Sequence, residues 1–337
     1  MNPTSQPAAG NMVGDRYSLH RRIGEGAAGE VWLARDTELH IDVAVKILHG
    51  KHAATGAARA RVLAGFAREA DLAERMLSPH VVKVLARGLL PSGAPYIVYE
   101  HLEGEDLGAR LAKTRQLSLY ETRTVVVHAC RALARAHAVG ALHRDVKPAN
   151  LFLTQSVEGR LLVKLLDFGI ADLLADHGPT EAGLLTGTLE YLAPEVLLGE
   201  GKPSPQSDVF SIGVVAYECL TGRRPRTAAD VGQLVASFAT VEVMSARELR
   251  PEIPAELEAW LVRAMNRDLE IRFSTAKEAA EMFEIAVAAA GPLPGSAPKP
   301  RPSVADLPRM RPAYSSYAII HGEDVSVGDA PPDGEKR

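Results

Sequence analysis

Cysteine is almost missing from this 337-residue chain: Cys130 and Cys219 are the only two, and both fall inside apolar helical patterns. Thiols so placed read as buried side chains, since a disulfide framework needs an oxidising compartment and a metal cage needs closely spaced ligands. Long apolar runs are missing too. Nothing approaches the roughly 18 residues of a membrane-spanning helix, and the stretch 209–220 is broken by Ser211, Gly213 and Glu218. Residues 1–14 hold no charged segment followed by an apolar one, so no secretory leader is evident and a cytoplasmic setting is expected. Nor does charge of one sign dominate: 38 basic residues face 42 acidic ones, a net of −4, which supplies no basic field for nucleic acid. There is no internal repeat. The remainder, 46% hydrophobic, is ordinary globular composition in a chain long enough for two packed lobes and a tail.

The informative residues are concentrated. His143-Arg144-Asp145-Val146-Lys147-Pro148-Ala149-Asn150 precedes Asp167-Phe168-Gly169. Phosphoryl transfer asks a protein mainly for positioning: a group that orients the attacking hydroxyl, oxygens that hold a divalent cation, and positive charge beside the moving phosphate. Asp145, Asn150, Asp167 and Lys147 are of the right types. Taken singly, Asp-Phe-Gly is an ordinary turn and a lone His-Arg-Asp is more often surface. The seven ordered identities (His143, Arg144, Asp145, Asn150, Asp167, Phe168, Gly169) would arise at about one in 10⁹ positions if each type is taken as about one in 20.

A nucleotide cradle should lie upstream, and Gly24, Gly26 and Gly29 supply the pattern G-x-G-x-x-G. Glycines let backbone come close to phosphates. Alone the pattern also opens dinucleotide-binding units, where a helix must follow. Here residues 30–34 and 41–47 read as two extended runs separated by a polar turn, which favours a strand-turn-strand hairpin over the nucleotide.

With those glycines, Val31, Val43-Ala44-Val45-Lys46, His143-Arg144-Asp145, Asp167-Phe168-Gly169 and Ala193-Pro194-Glu195 in order, the chain resembles the eukaryotic-like serine/threonine protein kinases over about residues 17–287. The resemblance implies an α+β, bilobal fold. A small antiparallel-sheet lobe with one main helix, about 15–100, would precede a larger, mostly helical lobe, about 101–290. Residues 1–14 would be a flexible N-terminus, and residues 57–77 the small lobe's helix. In the large lobe, Ser118 to Glu121 and Thr275 to Glu278 match capping boxes, and residues 208–220 read as its central helix. An apolar stripe at 125, 126, 129, 130 and 133 closes on His137, read as a core-edge residue.

The resemblance also assigns roles. ATP and Mg²⁺, with Mn²⁺ as an alternative, are the implied cofactors. Lys46 would bind the α- and β-phosphates and pair with a helical glutamate, for which Glu69 is the first choice and Glu74 the neighbour that competes. Val31, Ala44 and Phe152 match the positions that sandwich adenine, the backbone at Glu100 and Leu102 would bond its edge, and Tyr99 falls at the gatekeeper position. Asn150 and Asp167 would hold metal, Asp145 would orient the acceptor, and Lys147 would contact the transferring phosphate, a serine/threonine signature. Asp208 would bond the catalytic-loop backbone, and Glu195 would form a buried pair with Arg272.

Arg144 implies a phosphorylated activation loop, with Thr180, Thr186 and Thr188 in reach and Thr186 first; in the family pattern the second threonine contacts the substrate site and Asp145. The unmodified alternative stands beside it, since Arg144 can also bond carbonyls. Ala149 replaces the glutamate of basic-directed kinases; Glu103, Glu105 and Asp106 read as a solvated acidic turn rather than a recognition patch. From Gly291 onward seven prolines as far as Pro312 mark a disordered or polyproline-like tail, in which residues 313–327 either dock on a partner or do nothing. Protein substrates and intracellular signalling follow for an active enzyme. A catalytically dead scaffold would have lost Lys46, Asp145, Asn150 or Asp167, and a small-molecule phosphotransferase would generally lack the Ala-Pro-Glu segment.

Overall fold

The computed structural model describes residues 7–26, 29–48, 76–167, 189–228, 230–240 and 242–289. Glu69, Phe168, Gly169, Thr180, Thr186, Thr188 and the tail lie outside the described residues, as does the expected helix 57–77 except for Met76 and Leu77, which are not helical.

Six antiparallel strands build the small lobe: β1 (Met12–Val13), β2 (Tyr17–Gly26), β3 (Gly29–Asp36), β4 (Ile41–Leu48), β5 (Val84–Leu89) and β6 (Pro95–Glu100), in the order β1-β2-β3-β4-β6-β5. The sheet starts earlier than the boundary expected at 15. Val13 is buried and pairs with Tyr17, so part of the stretch expected to be a flexible N-terminus is sheet. The hairpin over the candidate nucleotide site closes at Gly26 opposite Gly29. Gly29 is required sterically, because a Cβ there would meet the Ile47 carbonyl oxygen of β4; Gly24 is not, its nearest neighbour being Val31 Cβ at 3.8 Å.

Strand periodicity then sorts β4. Val43, Val45 and Ile47 join Leu19, Trp32 and Val98 in one apolar cluster, while Leu48 and Ala44 share the opposite face with Ile97 and Tyr99. Lys46 lies between Ala44 and Leu48 on that second face, level with Val31 on β3 and Ile97 on β6. The β3–β4 turn is pinned by Asp36, whose buried carboxylate accepts from the Glu38 and Leu39 amides and from the Arg16 fork.

In the large lobe a second sheet, β7 (Glu105–Asp106), β8 (Leu151–Gln155) and β9 (Leu161–Leu165), lies among eight helices of the described residues. These are α1 (Leu107–Thr114), α2 (Leu119–Ala138), α3 (Pro194–Leu197), α4 (Pro205–Thr221), α5 (Val231–Thr240), α6 (Ala246–Leu249), α7 (Ala255–Ala264) and α8 (Ala276–Ala289). The Ser118 capping box forms in full. At α8 only half does: the Glu278 amide donates to Thr275, but the Glu278 carboxylate accepts from Ser274 one residue earlier and from Arg263.

The α2 stripe is buried as its period demands, Cys130 included. Burial pushes the Cys130 thiol up to about 12, and it raises Cys219 as well, so both are inert apolar side chains. Helix α4 is apolar nearly all round and runs through the core. It begins at Pro205, three residues before the start read from sequence, because Ser204 caps it and proline suits a first turn. Gly222 in the left-handed region ends it.

Candidate active site

The loop between α2 and β8 carries His143 to Asn150, and a buried carboxylate sets its path. Asp208, one turn into α4, accepts from the backbone N–H of His143 at 3.0 Å and of Arg144 at 2.9 Å. Its Oδ2 also lies 2.8 Å from His137 Nε2. His137, read as a mere end to an apolar stripe, thus joins α2 to α4 at the catalytic loop. The bonds hold Arg144 at φ 64°, a left-handed conformation that costs a non-glycine residue on the order of 1–3 kcal/mol.

His143 is fully buried, and its tautomer is legible. Nδ1 accepts from the Asp145 amide at 3.2 Å, so Nε2 carries the hydrogen and donates to the Leu166 carbonyl at 2.7 Å. The Leu166 amide in turn donates to the Asn150 carbonyl at 2.9 Å. One ring therefore ties the segment holding Asp145 to the residue before Asp167, although 22 positions separate Asp145 from Asp167 in sequence.

The three loop residues named from sequence converge on one carboxylate. Asp145 Oδ2 accepts from Lys147 Nζ at 2.8 Å and from Asn150 Nδ2 at 3.0 Å, and the same Nδ2 donates to the Asp145 carbonyl at 2.7 Å. Lys46 Nζ donates to Asp167 Oδ1 at 2.7 Å, with Asp167 at φ 55°. Glu69 lies outside the described residues; Asp167 is the partner of Lys46 that the structure describes.

The hydrophobic groups expected around adenine are also placed. Ala44 faces Tyr99 across β4 and β6, and Phe152 on β8 is half-buried opposite Asp106. Tyr99 is buried with Leu48, Val82 and Ile97, and Leu102 and Leu166 pack on that cluster. Glu100 has a role unread in sequence: its carboxylate accepts from Lys164 Nζ at 2.6 Å and from the Lys83 amide at 2.9 Å, pinning the end of β6 to β9.

The expected acidic turn is corrected for two of its three members. Glu103 is exposed. Glu105, however, bridges Arg110 and Lys113, each at 2.6 Å, which holds its carboxyl below the usual range, and Asp106 caps α1 through the Ala109 amide at 2.8 Å. Local hydrogen-bonding chances of this kind depend on where a helix begins, here at Leu107.

Oxygen donors such as Asn150 Oδ1 and the Asp167 carboxylate suit a hard divalent cation. Among the described residues no three His, Cys, Asp or Glu side chains gather as a self-sufficient metal cage. Two such donors fit a divalent cation whose other ligands are water or phosphate oxygens.

The protein kinase domain family matches residues 17–283. The chain is 35% identical over 271 residues to the serine/threonine-protein kinase PknB of Mycobacterium tuberculosis, covering 79% of this chain and 42% of that protein. It is 34% identical over 275 residues to PknD of the same species, covering 81% and 40%. The kinase domain of M. tuberculosis PknI, a crystal structure, superposes with a TM-score of 0.64 at 27% identity, covering 84% of this chain and all of that one. The chain spans less than half the length of the curated relatives it matches. In the described residues no helix is long and apolar enough to cross a membrane. A glycine hairpin over a buried lysine, a neutral histidine tying the catalytic loop to Asp167, and this family match agree: the chain belongs to the protein kinase family, in its eukaryotic-like serine/threonine branch found in bacteria.

Proposed function

We propose that this chain transfers the γ-phosphoryl group of ATP to serine and threonine hydroxyls of proteins. The observation that carries it is the convergence of Lys147 and Asn150 on Asp145, with Asp167 tied to Lys46. Asp145 accepts the hydroxyl proton and orients its oxygen, geometry that supports general-base work once an acceptor displaces part of its present bonding. Lys147 turns toward the transferring phosphate, and its place two residues after Asp145 supports serine/threonine preference. Lys46 exchanges Asp167 for nucleotide phosphates, while the Gly24–Gly26–Gly29 hairpin covers them, and Ala44, Val31 and Phe152 hold adenine beside the hinge at Glu100 and Leu102. Mg²⁺, or Mn²⁺, held through Asn150 and Asp167 would neutralise charge as the phosphoryl group moves. Arg144, exposed beside Asp145, supports ordering of the loop by a phosphothreonine, with Thr186 preferred over Thr180 and Thr188. Docking of residues 313–327 on a partner and a cytoplasmic setting belong to the same reading.

The test is incubation of the chain and its Asp145→Asn variant with labelled ATP and Mg²⁺, followed by site mapping. Label on Thr186 or its neighbours in the parent alone is expected. Equal labelling of both proteins, or none in either while nucleotide binds, would sink the reading in favour of a scaffold.

A further inference from the structure

We propose that Glu190 and Arg224 form a positioning anchor that sets where the acceptor peptide lies against Asp145; this rests on the kinase reading above. Glu190 lies two residues after Thr188 and ahead of Ala193-Pro194-Glu195, and only 8% of it is exposed. Its carboxylate pairs with the Arg224 guanidinium and accepts from the Ala228 amide at 3.2 Å. A carboxylate so buried is costly unless matched by charge and hydrogen bonds, and these partners come from a single loop, the one joining α4 to α5.

That loop is itself held at both ends. Gly222 caps α4 at φ 73°, and Arg226 lies over the Phe238 ring of α5 with its guanidinium carbon 4.6 Å from the centroid. Helix α4 then serves as a common base. Asp208 fixes the catalytic loop, while three positions of the same helix fix the segment 191–195: Ser207 donates to Glu195 at 3.1 Å, Ser211 donates to the Tyr191 carbonyl at 2.8 Å, and Glu218 accepts from the Tyr191 hydroxyl at 2.5 Å. Every one of those bonds reaches Tyr191 or beyond. Among these side-chain contacts the Glu190 pair lies nearest Thr188 in sequence, on the turn that the Leu192 amide closes by donating to the Leu189 carbonyl at 3.0 Å, so the anchor holds the chain directly after the expected acceptor-contacting threonine. Lys46, Asn150 and Asp167 sit on other elements, so nucleotide binding is not affected.

The experiment uses the full chain, labelled ATP and dephosphorylated casein as a generic acceptor. Arg224→Ala and Glu190→Gln are expected to raise KM for casein on the order of tenfold, the scale of one charged hydrogen bond. The kcat at saturation and KM for ATP should stay within about twofold, with Arg224→Lys between parent and alanine variant because a point charge replaces the fork. Arg224→Ala leaves a buried carboxylate unpaired, so the double variant Glu190→Gln with Arg224→Met, which removes both charges, guards against simple unfolding. Amide exchange at residues 189–192 reads the anchor without activity and should quicken in each variant. Unchanged exchange overturns the anchor. Quicker exchange with unchanged casein KM, or with kcat and ATP KM falling in step with Tm, overturns its positioning role. If Asp145→Asn labels casein as well as the parent does, the kinase reading fails, and exchange alone still decides the anchor.

Discussion

Two ion pairs in this molecule are chemically alike and built differently. Arg272 meets Glu195 through both fork nitrogens, at 2.8 and 3.1 Å, and its remaining donors reach the Asn266 and Gln206 carbonyls; Ser207 also donates to Glu195. The two side chains are 0% and 11% exposed. Lys46 meets Asp167 by one bond of 2.7 Å, with the lysine 8% and the aspartate 36% exposed. A fully saturated, dry pair has no capacity left for a ligand and serves to hold the segment after the activation loop. A single bond to a half-open carboxylate can be exchanged, which a site that must accept phosphate and cation needs. Burial and saturation, not the presence of a salt bridge, separate structure from function here.

The largest expected effect breaks that contrast directly. Arg272→Ala should cost about 3–5 kcal/mol of stability, because Glu195 stays buried without its counter-charge, whereas Lys46→Met removes the buried charge and leaves a carboxylate, 36% exposed, that water can reach, and should shift stability by about 1 kcal/mol or less. Activity should invert the order of damage per unit of stability. Lys46→Met is expected to lose on the order of a hundred- to thousandfold in turnover, the cost of one preorganised electrostatic contact, with an unchanged melt. Urea titration and initial rates on both proteins check this, and a Lys46→Met variant that melts as Arg272→Ala does would erase the distinction.

A smaller effect should separate the glycines of the hairpin. Gly29→Ala drives a Cβ into the Ile47 carbonyl and should destabilise by about 1–3 kcal/mol. Gly24→Ala meets nothing closer than 3.8 Å, so its cost should appear in ATP affinity and not in Tm. Equal melting losses in both would mean that Gly24 is structural too.

Smallest near neutral pH, and growing as pH falls, is a pH effect, which brings in groups kept uncharged. His80 and His128 stack with centroids 4.1 Å apart, and the Val163 amide donates to His128 Nδ1. Burial lowers both, His128 to about 3, and the nearby cations Arg123, Arg131 and Lys164 add to it. The folded chain then refuses protons that the unfolded chain accepts below the ordinary histidine value of 6.5. Stability is full above that value and falls as pH drops from 6.5 toward 3. Urea midpoints at several pH values should show the fall, and His128→Gln should flatten it; an unchanged slope in that variant would assign the acid sensitivity elsewhere.

Much of the site was legible because its chemistry is contiguous. Asp145, Lys147 and Asn150 lie within one loop, so residue type and spacing already placed them together, and Lys46 was named by the resemblance through Val43-Ala44-Val45-Lys46. The Glu195–Arg272 pair was also foreseen. What escaped were partners supplied by other elements: His137 for Asp208, Lys164 for Glu100, Arg224 for Glu190, and, from the helix that directly follows it, Arg110 and Lys113 for Glu105. None of these has a spacing signal, since an arginine in a loop or a histidine at a stripe's end looks the same whether it faces water or a carboxylate.

The sequence by itself therefore determined the family and, through that resemblance, the bilobal fold and the candidate reacting groups, because ordered short motifs are legible along the chain. Only the tertiary structure decided which charges are saturated and which stay exchangeable, how His143 carries Asp145 to Asp167, and what holds Glu190. Hydrogen bonding and desolvation are set by whatever packs across a gap of about 3 Å, and no periodicity along the chain records what lies on the other side.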